Sequence, residues 1–371
     1  MKEITDILNA YRIAQKQNLK TALATVVQVE GSSYRRAGAR MLITENGMLT
    51  GAISGGCLEG DALKKALSAI HVQENRLVTY DTTDEDDAKF GVQLGCNGIV
   101  HILFEPIIAE QGTHPIAILE ALQEKRANAV VVSLFNFERQ RQLGTVLLYR
   151  DGNQLTDLPP ALQSELMGHA DQSLTNKHSD FRTYQYEGET VHAFIEFISP
   201  PIALVIVGAG NDAQPLAEFA YLLGWQVTIA DGRQTHATKH RFASAERILI
   251  TKPVQLMPQL EFDEQTAIVL MTHNYNYDTE LLGMLLKTPA PYIGTLGPRK
   301  KLIRMLDELD MNTGENKDRV HGPVGLDIGA ETAEEIAISI IAEIKSKFAR
   351  GTGKSLKEKT GAILEFFTNE N

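Results

Sequence analysis

Residues 202–233 read IALVIVGAGNDAQPLAEFAYLLGWQVTIADGR. The apolar run at 202–207 is rich in β-branched residues, the pattern of a strand buried on both faces. Gly208, Ala209 and Gly210 follow as a tight turn, and a helical pattern places Leu216, Phe219, Ala220 and Leu223 on one face. Gly224 stops that helix, and a second strand over 225–230 ends at Asp231. A strand, a glycine-rich turn, a helix and a second strand ending in an acid form a Rossmann-type half. Gly208 permits the turn. Gly210 has no Cβ, so a pyrophosphate can approach the backbone and meet the helix N-terminal N–H groups. Ala213 is the third small residue, letting helix and strand pack closely. Asp231, 21 positions after Gly210, is placed to bind ribose hydroxyls, and its charge argues against a 2′-phosphate. The same glycines also suit a turn that holds no nucleotide.

Outward from this unit the pattern repeats. Residues 247–250, 266–271 and 292–296 read as further strands, with helices at 279–286 and 300–309. Strands alternating with helices predict a doubly wound parallel sheet, whose ligands sit beyond the strands' carboxyl ends. His273 and Arg299 fall there, as candidate ligand contacts or as local packing groups. Thr332 and Glu335 form a capping box for a helix running to about residue 347. Gly351-Thr352-Gly353-Lys354-Ser355 is not a phosphate-binding P-loop, because a helix precedes it and Phe348 stands where a glycine is required. The last residues read as a docked helix with Ile363, Phe366 and Phe367.

Pro200-Pro201 marks a boundary. The expected division is an α+β domain at 1–199, a Rossmann-like domain at 200–349 and a tail at 350–371, an α/β protein overall. The first domain opens with a helix that has Ile4, Ile7, Leu8 and Tyr11 at helical spacing, and a strand at 21–29 follows. The runs 39–44 and 48–53 flank Asn46-Gly47, a hairpin signal. The second run leads into Ser54-Gly55-Gly56-Cys57 and a helix at 58–70. A glycine pair between strand and helix favours an anion, and such a position raises the thiolate fraction of a thiol. The alternative is that Gly55 and Gly56 only turn the chain and Cys57 fills a small space. Strands are predicted at 76–80 and 99–105, separated by an acidic stretch at 81–87 and a glycine-rich loop, 91–98, that carries Cys96. A helix at 116–125 and hairpins at 129–149 and around Glu187-Gly188 complete the domain. Residues 151–180 read as polar and irregular around a helix at 161–167.

The chain has 371 residues and a formal net charge of −11, a poor match to nucleic acid or an anionic membrane. No apolar run reaches the roughly 18 residues that span a bilayer. Two cysteines fit a reducing compartment, and the expectation is a cytoplasmic protein. Cys57 and Cys96 are not arranged as a CxxC, and no companion ligands complete a zinc site, so no metal ligated directly by protein is expected.

GSSYRRAGARML (31–42) with GAISGGCLEG (51–60) resembles the amino-terminal signature of the XdhC/CoxI family of accessory proteins for molybdenum hydroxylases. LGCNG (94–98), VGAGNDAQPLA (207–217), THNYNYD (272–278), IGTLGPRKK (293–301) and HGPVGLDIGAETAEEIA (321–337) resemble its later motifs, in order. Tyr34 stands where the family commonly has proline, and Asn97 where it usually has glycine. The resemblance implies a chaperone that binds molybdenum cofactor, as molybdopterin or its dinucleotide form. It implies that the chain protects the cofactor while a cysteine desulfurase helps install a sulfido ligand, then delivers it to the apo-hydroxylase. Related proteins suggest a homodimer. Arg35, Arg36 and Arg40 can bond a cofactor phosphate or pair with the acidic stretch. Cys57 and Cys96 are soft enough to approach molybdenum or relay sulfur. Ser54, Gly55, Gly56, Gly208, Gly210, Asp231 and Arg299 complete the candidate cofactor contacts. The glycine turn alone would suggest an NAD-dependent oxidoreductase with His273 as acid or base, or a nucleotide-sensing scaffold.

Overall fold

The computed structural model describes residues 1–81, 98–108, 113–139, 141–156, 158, 160–311 and 318–360. Cys96 and its loop, the acidic stretch after Asp81 and the expected terminal helix lie outside the described residues. The chain divides into two compact units, one running from Glu3 to Pro200 and one beginning at Pro201. Among the described residues no helix is long and apolar enough to cross a membrane.

The first unit contains α1 (Lys2–Lys16), β1 (Thr21–Gly31), β2 (Arg40–Thr44), β3 (Leu49–Gly51), α2 (Glu59–Val72), β4 (Arg76–Asp81), β5 (Gly98–Pro106) and α3 (Pro115–Glu124). It continues with β6 (Ala129–Phe135), β7 (Gly144–Arg150), β8 (Asn153–Thr156), α4 (Pro160–Asn176), β9 (Asp180–Tyr186) and β10 (Glu189–Ile198). The described strands form two antiparallel sheets, ordered β3-β2-β1-β5-β4 and β8-β7-β6-β10-β9. Alternation along β1 explains why its first seven residues are all buried: Ala22, Ala24 and Val26 meet Ala62, Ala66 and Ala69 of α2, while Leu23 packs with Ile7, Leu8 and Leu119 of α1 and α3. Val27 and Leu103 of the first sheet pack with Phe135 and Phe194 of the second.

Residues 151–180 are more regular than their composition suggests. They hold β8 and the 17-residue α4, whose buried Leu162, Leu166, Ala170 and Ser173 recur at helical spacing and cover the second sheet. That stripe is narrow and ends in a serine, so it stands out weakly among the polar residues around it.

The second unit contains β11 (Ala203–Val207), α5 (Ala213–Leu222), β12 (Gln226–Asp231), β13 (Arg247–Ile250), α6 (Pro253–Leu256), β14 (Thr266–Leu270) and α7 (Tyr275–Leu285). It ends with β15 (Tyr292–Thr295), α8 (Arg299–Glu308), β16 (Val320–His321) and α9 (Ala333–Phe348). Its strands are all parallel in the order β13-β12-β11-β14-β15-β16. Counted within the unit this is 3-2-1-4-5-6, the doubly wound order, whose direction reverses between β11 and β14. Core residues of α5 and α9 pack on one face, those of α6, α7 and α8 on the other. Leu223, expected on the buried face of the first helix, lies past the end of α5 and is exposed.

Candidate functional site

In the first unit the loop before β2 is tied down by Glu3 of α1, which pairs with Arg35 and accepts the Arg40 backbone N–H at 2.9 Å. Arg40 itself points inward. Its guanidinium, 3% exposed, bonds Glu196 of β10 and the Gly38 carbonyl. Burial works against that charge, but Glu196, with Glu3 and Glu105 nearby, holds the guanidinium above the usual arginine range. The sequence pattern offered Arg40 to a phosphate, and the fold gives it to a carboxylate 156 positions away. Arg36 is half-buried, and burial lowers its pKa.

The turn before α2 is closed by Ser54. Its hydroxyl accepts the N–H groups of Gly56 and Leu58, each at 3.1 Å, and donates to Glu59, which also takes the Ser54 N–H at 2.9 Å. Two of the N–H groups expected to meet an anion are thereby already bonded. Gly55 lies under the Tyr34 ring, where a Cβ would stand 3.2 Å from Cγ. Gly56 adopts φ +108°, a left-handed conformation that favours glycine. Cys57 is a free, half-buried thiol at this turn.

In the second unit Gly208 has φ +116°, and a Cβ there would stand 2.4 Å from the Met271 carbonyl oxygen. The turn is thus forced by the backbone of the neighbouring strand, whatever the ligand. The Gly210 notch is filled from within: a Cβ would lie 2.4 Å from Asp212 Oδ1, and Asp212 Oδ2 is 2.8 Å from His273 Nε2. His273 is exposed and has φ +58°. Arg241 donates to the Ala209 carbonyl at 2.7 Å and to Asn211 Oδ1 at 2.8 Å, bracing the same turn.

Asp231, 5% exposed, is fully engaged. Its Oδ1 accepts the Arg233 backbone N–H at 2.8 Å and Nε at 3.0 Å, and its Oδ2 accepts the Ala209 N–H and an Arg233 terminal nitrogen, each at 2.7 Å. Burial opposes the charge, yet the Arg233 guanidinium and these N–H groups hold the carboxyl below the usual range. A carboxylate offers about four acceptor positions. All four are taken, which leaves none for the ribose hydroxyls anticipated from its spacing.

Beyond the carboxyl ends of β12 and β14 lies a cavity of about 190 Å³ lined by Asp231, Gly232, Arg233, Thr272, Asn274 and Tyr277. It is smaller than the roughly 300 Å³ at which whole-ligand pockets begin, and suits one polar group of a larger molecule. Arg299 is exposed in the first turn of α8. The neighbouring Lys301 turns inward to Asp278 Oδ2 at 2.6 Å and the Leu296 carbonyl at 3.0 Å, and Thr272 donates to Asp278 Oδ1 at 2.6 Å. In this way 272–278 and 293–301 are bonded together. Sequence reasoning missed Arg233, Asp212, Arg241, Asp278 and Lys301. The Asp-Gly-Arg run was the available signal for the first. A larger polar cleft of about 810 Å³ in the first unit, lined by residues such as Asn75, Asn136 and Tyr186, holds none of the candidates.

Residues 204–344 match the XdhC Rossmann domain family, and residues 14–81 match the XdhC and CoxI family. A Bacillus subtilis (strain 168) protein, named as a probable subunit of xanthine dehydrogenase, is 34% identical over 331 residues, 88% of this chain and 92% of that one. The molybdenum cofactor insertion chaperone PaoD of Escherichia coli (strain K12) is 24% identical over 327 residues, 87% of this chain and 82% of its own length. The crystal structure of a xanthine dehydrogenase from Bacillus halodurans matches with a TM-score of 0.76 and 29% identity, covering 95% of this chain and 98% of that chain.

Proposed function

Because the chain belongs to the XdhC and CoxI family, we propose that it is an accessory protein that binds molybdenum cofactor and inserts it into a molybdenum hydroxylase such as xanthine dehydrogenase. In this reading it shelters the cofactor during sulfuration, with a cysteine desulfurase as a second partner, and acts in the cytoplasm as a homodimer. The observation that carries the reading is the likeness to a named molybdenum cofactor insertion chaperone along 87% of the chain.

The residues present fit such a cargo. Molybdopterin carries a phosphate and a dithiolene-bound metal, the group whose terminal ligand is exchanged during sulfuration. Cys57 supplies a partly accessible soft donor on a turn braced by Ser54. Cys96 is the other candidate donor. The second unit, taken by itself, offers polar donors at the cavity lined by Arg233 and Asn274.

The test is metal analysis and pterin fluorescence on protein freshly isolated from a host that makes the cofactor. Molybdenum and pterin in a fixed ratio are expected, with loading reduced in Cys57→Ala or Cys96→Ala. Protein isolated without pterin would sink the reading. Unchanged loading in both variants would remove the cysteines from it.

An NAD-dependent oxidoreductase or a nucleotide-sensing scaffold draws on the glycine turn and the doubly wound sheet. The commitment of Asp231 to Arg233 and the Asp212 carboxylate in the Gly210 notch weigh against ordinary NAD binding. Titration with NADH to millimolar concentration separates these readings from the first.

A further inference from the structure

We propose that the cavity beyond β12 and β14 receives a phosphate monoester, gripped by Arg233, and discriminates against an unphosphorylated sugar. This deepens the function above by naming the ligand chemistry of its Rossmann unit, and rests on that reading only in treating the cavity as a ligand site.

Arginine presents two forked edges. Arg233 spends its side edge on Asp231, with Nε on Oδ1 at 3.0 Å and a terminal nitrogen on Oδ2 at 2.7 Å. Its end edge has no partner among the described residues. Asp231 therefore works as an anchor that orients the guanidinium, which is about half exposed at the cavity. The other lining groups point to the same ligand. Thr272 donates to Asp278 and accepts the Asn274 N–H. Tyr277 gives its hydroxyl proton to the Thr251 carbonyl at 2.8 Å. Asn274 Oδ1 accepts the Tyr277 N–H at 3.2 Å, which leaves its amide N–H groups without a partner among the described residues. Apart from the Tyr277 oxygen and the second lone pairs of Asn274 Oδ1 and Thr272 Oγ1, all of them neutral acceptors, the unspent side-chain groups are donors, and Arg233 alone among them carries charge. Planar paired donors match phosphate oxygens. A sugar diol is held best by a charged acceptor, and the Asp231 carboxylate that would serve has its positions taken, whereas the charge left at the cavity is the positive one of Arg233. The volume of about 190 Å³ admits a phosphate with its bridging carbon and not a dinucleotide.

The same chemistry has two sources, a nucleotide carrying a ribose phosphate and the alkyl phosphate of a pterin. Calorimetry on the full chain free of cofactor would use adenosine 2′-monophosphate against adenosine, and 6-hydroxymethylpterin phosphate against 6-hydroxymethylpterin. At least one phosphorylated probe should bind about 10-fold or more tightly than its partner, and the pair that responds identifies the source. Arg233→Gln should weaken that probe by about 10- to 100-fold, as expected for loss of a charged hydrogen-bonding pair. Arg233→Lys should restore part of the loss. Trp225, the single tryptophan and a core residue of this unit, reports whether each variant remains folded. The proposal is overturned if no phosphorylated probe outbinds its partner, or if folded Arg233→Gln binds the phosphorylated probe as tightly as the parent. None of these probes contains molybdenum. Phosphate-dependent binding without cofactor retention would sink the chaperone reading alone, and retention without phosphate dependence would sink only this one.

Discussion

Lys301 places its ammonium 2.6 Å from the carboxylate of Asp278, a residue with no exposed surface. The pair joins the segment after β14 to the segment after β15, so the rim of the sheet depends on a buried charge. Removing one partner of such a pair leaves the other uncompensated and costs about 3–5 kcal/mol. Asp278→Ala should therefore destabilise the second unit by about that amount, read from urea unfolding of Trp225 fluorescence. The double change Asp278→Leu with Lys301→Met should be milder. A loss below about 1 kcal/mol in Asp278→Ala would mean that water already screens the pair.

Gly208 is required by backbone geometry. Gly208→Ala would place a Cβ 2.4 Å from the Met271 carbonyl oxygen at φ +116°. It should cost about 2 kcal/mol or more, whereas Gly232→Ala, whose nearest neighbour would be 3.6 Å away, should stay within about 1 kcal/mol. Equal effects in the two variants would contradict a steric origin.

Glu105 lies at the junction of the two sheets of the first unit, accepting the Thr145 N–H at 2.6 Å and its hydroxyl at 2.8 Å. Burial pushes its pKa up to about 7, against the pull of Thr145 and Arg40. The folded state thus holds the proton more tightly than the unfolded chain between about pH 4.5 and about 7. The stability this contributes is complete below the lower value and is lost as pH rises through the upper one. The gap corresponds to roughly 3 kcal/mol. Hydrogen exchange of peptides from β5 and β7 should show protection falling between pH 5 and 8.5 in the parent. Glu105→Gln should remain flat, and identical profiles would refute the assignment.

Ser54→Ala removes the hydroxyl that closes the turn before α2. Loss of these turn hydrogen bonds should cost about 1 kcal/mol locally. In a Cys96→Ser background, Cys57 should react faster with a thiol reagent as that turn frays. An unchanged rate would show that this turn does not control access to the thiol.

The parallel sheet of the second unit was legible because a buried parallel strand reads as a continuous apolar run and Gly208 and Gly210 punctuate it. The Asn46-Gly47 turn was legible in the same way, and so was the capping box of Thr332 with Glu335. The roles of the charged candidates were harder to read. Arg35 meets Glu3 and Arg40 meets Glu196, both structural partners, although all three arginines of that loop looked equally available to phosphate. Asp231 occupies the position its spacing implied, yet its acceptors go to Arg233 and Ala209.

Taken alone, the amino-acid order marked most of the strands, helices and turns, because periodicity and glycine placement act over a few neighbouring residues, but not β8 or the full length of α4, whose apolar stripe is narrow. It also carried the family likeness, which is a property of motif order. Only the folded chain decided which charges are spent and which remain for a ligand. Glu105 and Thr145 are 40 positions apart, and Arg40 and Glu196 are 156 apart. Such partners are chosen by the packing of sheets, through distances and burial that no local pattern encodes.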